Sequence, residues 1–484
     1  MIFELVLRLW PHLATLLTLV IAVVTSCHVV LYKRDARAAI GWVGLIWLVP
    51  VVGSLLYIGL GINRIQRRAR LLRGRDGDSR PPESFPGDAT DMLARTLATD
   101  EAHLQTLAGM LAEISQRPLL GGNRVQPLNE EDHPYPSMLA AIGQAQRSIS
   151  LSTYIFDDDR AGQLFVDALA TAVARGVQVR VLVDGVGASY SWPSILGPLR
   201  RANVPAARFL PRRVPWAFRF ANLRNHRKIL VADGQVGFTG GMNIRAGHYP
   251  ALQPRRTIRD VHFRIEGPVV AHLQDVFCED WAFCTGERLQ GEAWFPTLPP
   301  AGTVFARGIS DGPDEDFEKL RWTLLGALAC ARRSIHIVTP YFLPDPGLIT
   351  SLNVAALRGV AVDIVIPLKN NLRLVQWAAA AQLWQLVERG CRVWFSPPPF
   401  DHTKLMVVDS RWSLLGSSNW DPRSLRLNFE FNLECYDWEL AHRLERLIRR
   451  KIRQARPVTI EALDGRSLPV KLRDGVARLL TPYL

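Results

Sequence analysis

His226, Lys228 and Asp233 recur at identical spacing as His402, Lys404 and Asp409. In each copy one residue separates His from Lys and four separate Lys from Asp. After six intervening residues, the first copy reads Gly240-Gly-Met-Asn243 and the second Gly416-Ser-Ser-Asn419. Alternate side chains of an extended strand share a face, so each His points the same way as its Lys. Asp233-Gly234 reads as a tight hairpin turn that returns the chain to Gly240. The glycines admit close approach of a ligand to the backbone, and Asn243 and Asn419 can donate hydrogen bonds.

Two such faces brought together pool two imidazoles, two ammonium groups and two carboxamides. That set suits a phosphodiester. One imidazole attacks phosphorus; the other protonates the departing oxygen and later deprotonates an acceptor alcohol. The lysines and asparagines stabilise charge on the non-bridging oxygens, so the chemistry calls for no metal and no cofactor. Asp233 and Asp409 belong to the catalytic motif, but they read as orienting the Lys and the turn rather than as proton carriers.

The elements around the motifs repeat as well. Residues 148–154 and 334–341 read as strands, 164–174 and 352–357 as helices, and 177–183 and 360–366 as the next strands. Arg175-Gly176 and Arg358-Gly359 supply the helix stops, and Ala145-Gln-Arg-Ser-Ile149 matches Ala331-Arg-Arg-Ser-Ile335. This predicts an α/β protein of two similar domains, residues 119–295 and 296–484, in a pseudo-twofold pair with one shared cleft. Residues 66–118 read as a basic linker, most flexible at 74–86, followed by an amphipathic helix over 91–116.

Residues 1–65 read as a two-helix transmembrane hairpin. Leu9–Tyr32 and residues 38–63 contain no Asp, Glu, Lys or Arg, and each is long enough to span a bilayer. Arg64, Arg67, Arg68, Arg70, Arg73 and Arg75 follow the second run, against Lys33, Arg34 and Arg37 between the two. By the positive-inside rule the protein is a multi-pass inner (cytoplasmic) membrane protein whose catalytic domains face the cytoplasm. A cleaved signal peptide, or processing at Cys27, is the lesser reading. The six cysteines form no zinc-ligand pattern and read as reduced thiols. A net charge of +13 favours an anionic partner, either nucleic acid or an acidic membrane.

The duplicated motif resembles the phospholipase D superfamily. Over nearly its whole length the chain is similar to membrane-bound bacterial cardiolipin synthases. The similarity extends to Gly41-Trp42, Pro50, Gly53, Tyr154-Ile-Phe156, Asp158, Asp260-Val-His262, Thr339-Pro-Tyr341-Phe342, Asn419-Trp-Asp-Pro-Arg-Ser424 and Leu427-Asn-Phe-Glu430. The resemblance implies transfer of a phosphatidyl group between two phosphatidylglycerol molecules, with release of glycerol, through a phosphohistidine. It further implies that Asp260 orients His402 and that Glu430 orients His226. By analogy His226 is the nucleophile and His402 the acid/base, although the sequence does not break that symmetry. Gly241 departs from the family's usual Ser, which Ser417 retains in the second copy.

Phospholipase D-like folds also act on DNA, and the stretch Arg212, Arg213, Trp216, Phe218, Arg219, Phe220, Arg224 could stack bases. Beside a membrane anchor it reads instead as a loop gripping anionic headgroups, with an ordinary solvated basic loop as the plain alternative. The expected partners are therefore phosphatidylglycerol, other anionic phospholipids and the bilayer, without nucleic acid. Residues 445–456 form a basic amphipathic helix that suits either an acidic leaflet or a packed protein surface. A phospholipase D using water or another alcohol as acceptor is the competing activity, and a catalytically idle lipid-binding scaffold a more distant one.

Overall fold

The computed structural model describes residues 2–33, 36–61, 87–129, 134–210, 223–313 and 316–481. The arginines after the second apolar run, the linker at 74–86 and the basic, aromatic stretch at 212–220 lie outside the described residues. The chain divides into two compact units, Met1–Leu71 and Leu72–Leu484.

In the first unit Ile2–Tyr32 is one helix, and its segment Leu9–Tyr32 is long and apolar enough to cross a bilayer. The second apolar run departs from the expected single span. It forms the helices Ala36–Leu48 and Pro50–Leu56 and a π-helical turn Tyr57–Gly61. Pro50 has no N–H to continue the ladder, and Val49 before it leaves helical geometry at φ −139° and ψ 76°. Gly53 lets the two pieces close together, since a Cβ there would lie 2.6 Å from the Leu45 carbonyl oxygen. Ala22, Val29, Ile46 and Tyr57 form the small core of this unit.

The second unit is built on one 16-stranded sheet. In the first half the strands are β1 (Leu120–Asn129), β2 (Ser148–Thr153), β3 (Gln178–Asp184), β4 (Ala206–Phe209), β5 (Arg224–Asn225), β6 (Ile229–Ala232), β7 (Val236–Gly240), β8 (Ile258–Arg259) and β9 (Val261–Glu266). The second half supplies β10 (Val304–Asp311), β11 (Ser334–Val338), β12 (Ala361–Pro367), β13 (Arg392–Ser396), β14 (Phe400–Asp401), β15 (Leu405–Val408), β16 (Trp412–Gly416), β17 (Asn428–Tyr436) and β18 (Arg456–Pro457). The order is β18-β13-β12-β11-β15-β16-β17-β10-β1-β9-β7-β6-β2-β3-β4, with β5 pairing β17 off this path, while β8 and β14 form a separate two-stranded sheet. The repeat is therefore physical: β1 and β10 meet antiparallel at the centre and the halves run outward in matching order. In each half parallel strands carry the crossover helices, so β2 is buried along its whole length.

Equivalent residues make equivalent bonds in the two halves. Asp159 caps Arg160–Ala174 through the N–H groups of Ala161 and Gly162, and Asp345 caps Pro346–Leu357 through those of Gly347 and Leu348. Both helices thus begin earlier than apolar spacing alone predicts, because their first turns are set by the caps. Each ends at the expected Arg-Gly stop, with Gly176 and Gly359 at φ 88° and 89°. The helix expected over 91–116 is instead Thr90–Thr96 and His103–Ser115, separated where Leu97 turns extended at ψ 136°. The basic helix is Trp438–Gln454. It buries Leu440, Leu444, Leu447 and Ile448, so its apolar face belongs to the protein core.

Candidate active site

The residue before each motif histidine ends a two-residue strand that pairs in parallel with the opposite half. Strand β5 pairs with the start of β17, and β14 pairs with β8. The His226 N–H donates to the Phe429 carbonyl at 2.8 Å, and the His402 N–H to the Arg259 carbonyl at 2.7 Å. The residue after each acceptor is the carboxylate for that imidazole. Nδ1 of His226 lies 3.0 Å from Oε2 of Glu430, and Nδ1 of His402 lies 2.8 Å from Oδ2 of Asp260. Backbone register across the halves thus delivers each carboxylate to its ring. A carboxylate on Nδ1 fixes the tautomer with Nε2 free to accept a proton or attack.

Lys228 and Lys404 point to the same face as their histidines, and both are buried. Each Nζ donates to the carbonyl of its own histidine at 2.6 Å. The environments then diverge. Nζ of Lys404 is also 3.0 and 3.1 Å from the two ring nitrogens of His402. Nζ of Lys228 instead lies over the Tyr154 ring, 5.6 Å from its centre, and that ring meets His226 edge-on at 5.0 Å.

Burial lowers the pKa of both lysines against the pull of Glu430 and Asp260, and repulsion from Lys404 adds to the fall at Lys228. Lys228 falls to about 7 and Lys404 to about 8. Burial also lowers His226 to about 4 against the pull of Glu430, and lowers His402 well below the usual imidazole range, with Lys404 adding to the effect. Without a bound anion, burial therefore favours the neutral form of both rings. Burial raises Glu430, but His226, Lys228 and the Ser417 hydroxyl outweigh it and hold the carboxyl below its ordinary value. Asp260 is raised by burial despite Lys404.

The remaining sequence-predicted residues fall into place around these pairs. Ser417 donates to Oε2 of Glu430 at 2.5 Å, and Asn428, which sequence reasoning missed, donates to Oε1 at 3.0 Å. Gly241 is explained by Asp260: a Cβ on Gly241 would lie 2.5 Å from both carboxylate oxygens. The shorter acid sits where the second copy has its serine side chain. Asn243 accepts from the Ile155 N–H at 3.1 Å, and Asn419 donates to the Ser424 hydroxyl at 3.1 Å. Both amides are buried and brace the site's walls. The turn at Asp233-Gly234 has φ 53° and 65°, the hairpin geometry expected.

Asp233 and Asp409 do not orient the lysines. Asp233 accepts backbone N–H groups of Gln146, Arg147 and Ser148 at 2.7–3.1 Å. Asp409 does the same for Arg332, Arg333 and Ser334 at 2.7–2.9 Å and meets Nε2 of His103 at 2.8 Å. Each carboxylate locks the start of β2 or β11 to the far end of the hairpin. The motif spacing is a folding constraint at that position, which corrects the expected grouping with His and Lys.

Two features differ across the pseudo-dyad. His248 is buried, and its ring centre is 5.9 Å from that of His402. With Asp260 and His402 it brings ligand atoms within 4.8 Å of one another, as a cation site requires. The Lys404 ammonium beside His402 opposes a metal there. Lys451, from the helix Trp438–Gln454, meets Asp401 at 2.5 Å, immediately before His402. At the equivalent place Asn225 donates to Asp280 at 2.8 Å. The repeat could have flagged these clamps, since Asn225 and Asp401 occupy matching positions.

A duplicated α/β unit that pools two His-x-Lys half-sites is the architecture of phospholipase D-like proteins. The family described as "Cardiolipin synthase, PLD-like domain" matches residues 138–281 and 324–452, one His motif in each, and the family "Phospholipase_D-nuclease N-terminal" matches residues 20–61. Cardiolipin synthase of Geobacillus kaustophilus is 32% identical over 472 residues, covering 96% of this chain and 93% of the relative. Cardiolipin synthase A of Pseudomonas putida is 32% identical over 468 residues, covering 96% of each. Among solved structures, phosphatidylserine synthase of Haemophilus influenzae superposes with a TM-score of 0.61 at 15% identity, covering 78% of this chain and 100% of that one, and so shares the fold. The chain belongs to the cardiolipin synthase family of phospholipase D-like phosphatidyltransferases.

Proposed function

We propose that the enzyme transfers a phosphatidyl group from one phosphatidylglycerol to another, forming cardiolipin and releasing glycerol. The observation that carries this reading is the pair of imidazoles, each held at Nδ1 by a carboxylate of the opposite half. Nε2 of His226 attacks phosphorus, forming a P–N bond as the P–O bond to glycerol breaks. The departing oxygen takes the Nε2 proton that His402 gains as the substrate's negative charge enters the site. His402 then removes the hydroxyl proton of the second phosphatidylglycerol, whose oxygen attacks phosphorus and displaces His226. Atoms and charge balance without a nucleotide.

Three features support His226 as the nucleophile. Its carboxylate, Glu430, is held ionised and braced by two further donors, so it keeps accepting at Nδ1 and leaves the Nε2 lone pair free to attack. Its lysine stands off over Tyr154. His402, by contrast, has the Lys404 ammonium against both ring nitrogens, which suits proton exchange. The arriving phosphodiester supplies negative charge that offsets the two lysines, so His402 regains the basicity an acid/base needs.

The same reading has residues 1–65 as a multi-pass membrane anchor, with 119–295 and 296–484 contributing one imidazole each. The six arginines at 64–75 put the catalytic body on the cytoplasmic side. The test is to give purified protein labelled phosphatidylglycerol alone, with a denaturing quench at neutral or alkaline pH. Cardiolipin and glycerol are the expected products, with label retained on wild type and His402→Ala but not on His226→Ala. Phosphatidic acid without cardiolipin would overturn the transferase reading, and the reversed labelling pattern would overturn the nucleophile.

A further inference from the structure

The helix Leu468–Leu479 turns only part of itself inward, burying Asp474 and Ala477. Leu468, Leu472, Val476 and Leu479 are 68, 61, 61 and 73% exposed, and Leu480 follows at 42%. At 3.6 residues per turn these five side chains share one face about 120° wide. Lys471 and Arg478 flank one edge of it and Arg473 the other, all exposed. Asp474 is the helix's single acid. It is buried and neutralised by Arg466 and Arg473, each at 2.7 Å. The exposed face therefore carries large apolar groups bordered by cations, with no carboxylate of its own.

This helix stands beside the catalytic cleft. Ala477 packs with Leu343, Val375, Ala378 and Ala379, and Tyr341 packs against the same cluster. The Tyr341 hydroxyl donates to Oδ1 of Asn371 at 2.8 Å, and its ring lies edge-on to His402 at 6.2 Å. The neighbouring helix Arg373–Ala380 begins with exposed Leu372, Arg373 and Leu374.

We propose that the stripe Leu468, Leu472, Val476, Leu479 docks on an anionic bilayer surface and holds the His402 side of the site at headgroup level. Charge selects this occupant. A second copy meeting the stripe through a twofold axis would bring Lys471, Arg473 and Arg478 against their own copies. An acidic bilayer instead receives the leucines among its acyl chains and offers phosphates to the flanking cations. The proposal rests on the reading that the site acts on lipid.

The experiment uses the full chain reconstituted in phosphatidylglycerol-containing vesicles with a phospholipid carrying a photoactivatable diazirine on its acyl chain. Photolysis and peptide mapping should place adducts on Leu468–Leu479. The triple variant Leu472→Glu, Val476→Glu, Leu479→Glu should lose them. It should turn over bilayer phosphatidylglycerol at least tenfold more slowly at low surface concentration, through KM rather than kcat. Turnover of a short-chain, monomeric phosphatidylglycerol should stay within twofold of wild type, which also reports folding. Absence of wild-type adducts on this helix would overturn the proposal, and so would crosslinks joining the helix to a second copy. Adducts on a wild type that turns over neither lipid would instead leave the docking surface standing and sink the catalytic reading.

Discussion

Replacing Gly241 with Ser gives the first half-site the residue that the second half-site uses at Ser417, yet it should damage the enzyme. A Cβ at Gly241 would stand 2.5 Å from both oxygens of Asp260, where ordinary contact begins at 3.4 Å. Asp260 must retreat by roughly 0.9 Å, the difference between those two distances. Taken along its 2.8 Å bond to Nδ1 of His402, that retreat lengthens the bond to at most about 3.7 Å, beyond hydrogen-bond range. A charge-assisted hydrogen bond contributes about 1.5–3 kcal/mol. At about 1.4 kcal/mol per tenfold, kcat should fall by roughly one to two orders of magnitude.

The assay is steady-state transfer with labelled phosphatidylglycerol, with a thermal melt to show that the variant is folded. The loss should appear in kcat with KM little changed, since Asp260 acts through His402. Combining Gly241→Ser with Asp260→Glu copies the Ser417–Glu430 pair, and should recover part of the lost rate. Wild-type kcat in folded Gly241→Ser would refute the reasoning, as would a double variant worse than either single change.

Three further outcomes follow from the same geometry. With Lys228 at about 7 and Lys404 at about 8, both ammonium groups are present below those values and lost above them. The kcat/KM for an anionic lipid should therefore fall as pH rises through that window, in a pH profile taken at constant ionic strength. Asp409→Ala removes the acceptor for three backbone N–H groups, and should cost about 2–3 kcal/mol of stability while the folded fraction keeps its kcat. Lys451→Met leaves the buried Asp401 carboxylate without its cation and should cost about 3 kcal/mol in a denaturation series; adding Asp401→Asn, which copies Asn225 of the first half, should restore most of it.

The sequence made the fold legible where local rules and global architecture agree. The Arg-Gly stops, the Asp233-Gly234 turn and the strand faces of both motifs are dictated by backbone preference, and the duplication multiplied each weak signal. What it hid was long-range. Nothing local distinguishes an Asp that steadies a lysine from one that ties down the N–H groups of a strand 85 residues away. Residues 445–456 look the same whether their apolar face meets lipid or β-sheet; only the packing of Leu447 and Ile448 decides. Pro50 marked a break in the second apolar run, but a span count by composition passes over it.

The cross-half strand pairs explain why this site cannot work as two independent copies. His226 hangs from the Phe429 carbonyl and leans on Glu430, and His402 hangs from the Arg259 carbonyl and leans on Asp260, so each histidine takes its backbone anchor and its carboxylate from the other half. A perfectly symmetric pair would offer two equal nucleophiles and no preferred acid. The substitutions that break the symmetry are small and linked by contact. Glu430 reaches Ser417 and Asn428, which keeps it ionised; Asp260 excludes any side chain at position 241 and shares its imidazole with an ammonium. The two rings thereby sit in unlike surroundings, and it is this difference that the proposed division into nucleophile and acid/base draws on. Gly241 is thus better understood as the partner of a shorter acid than as a lost serine.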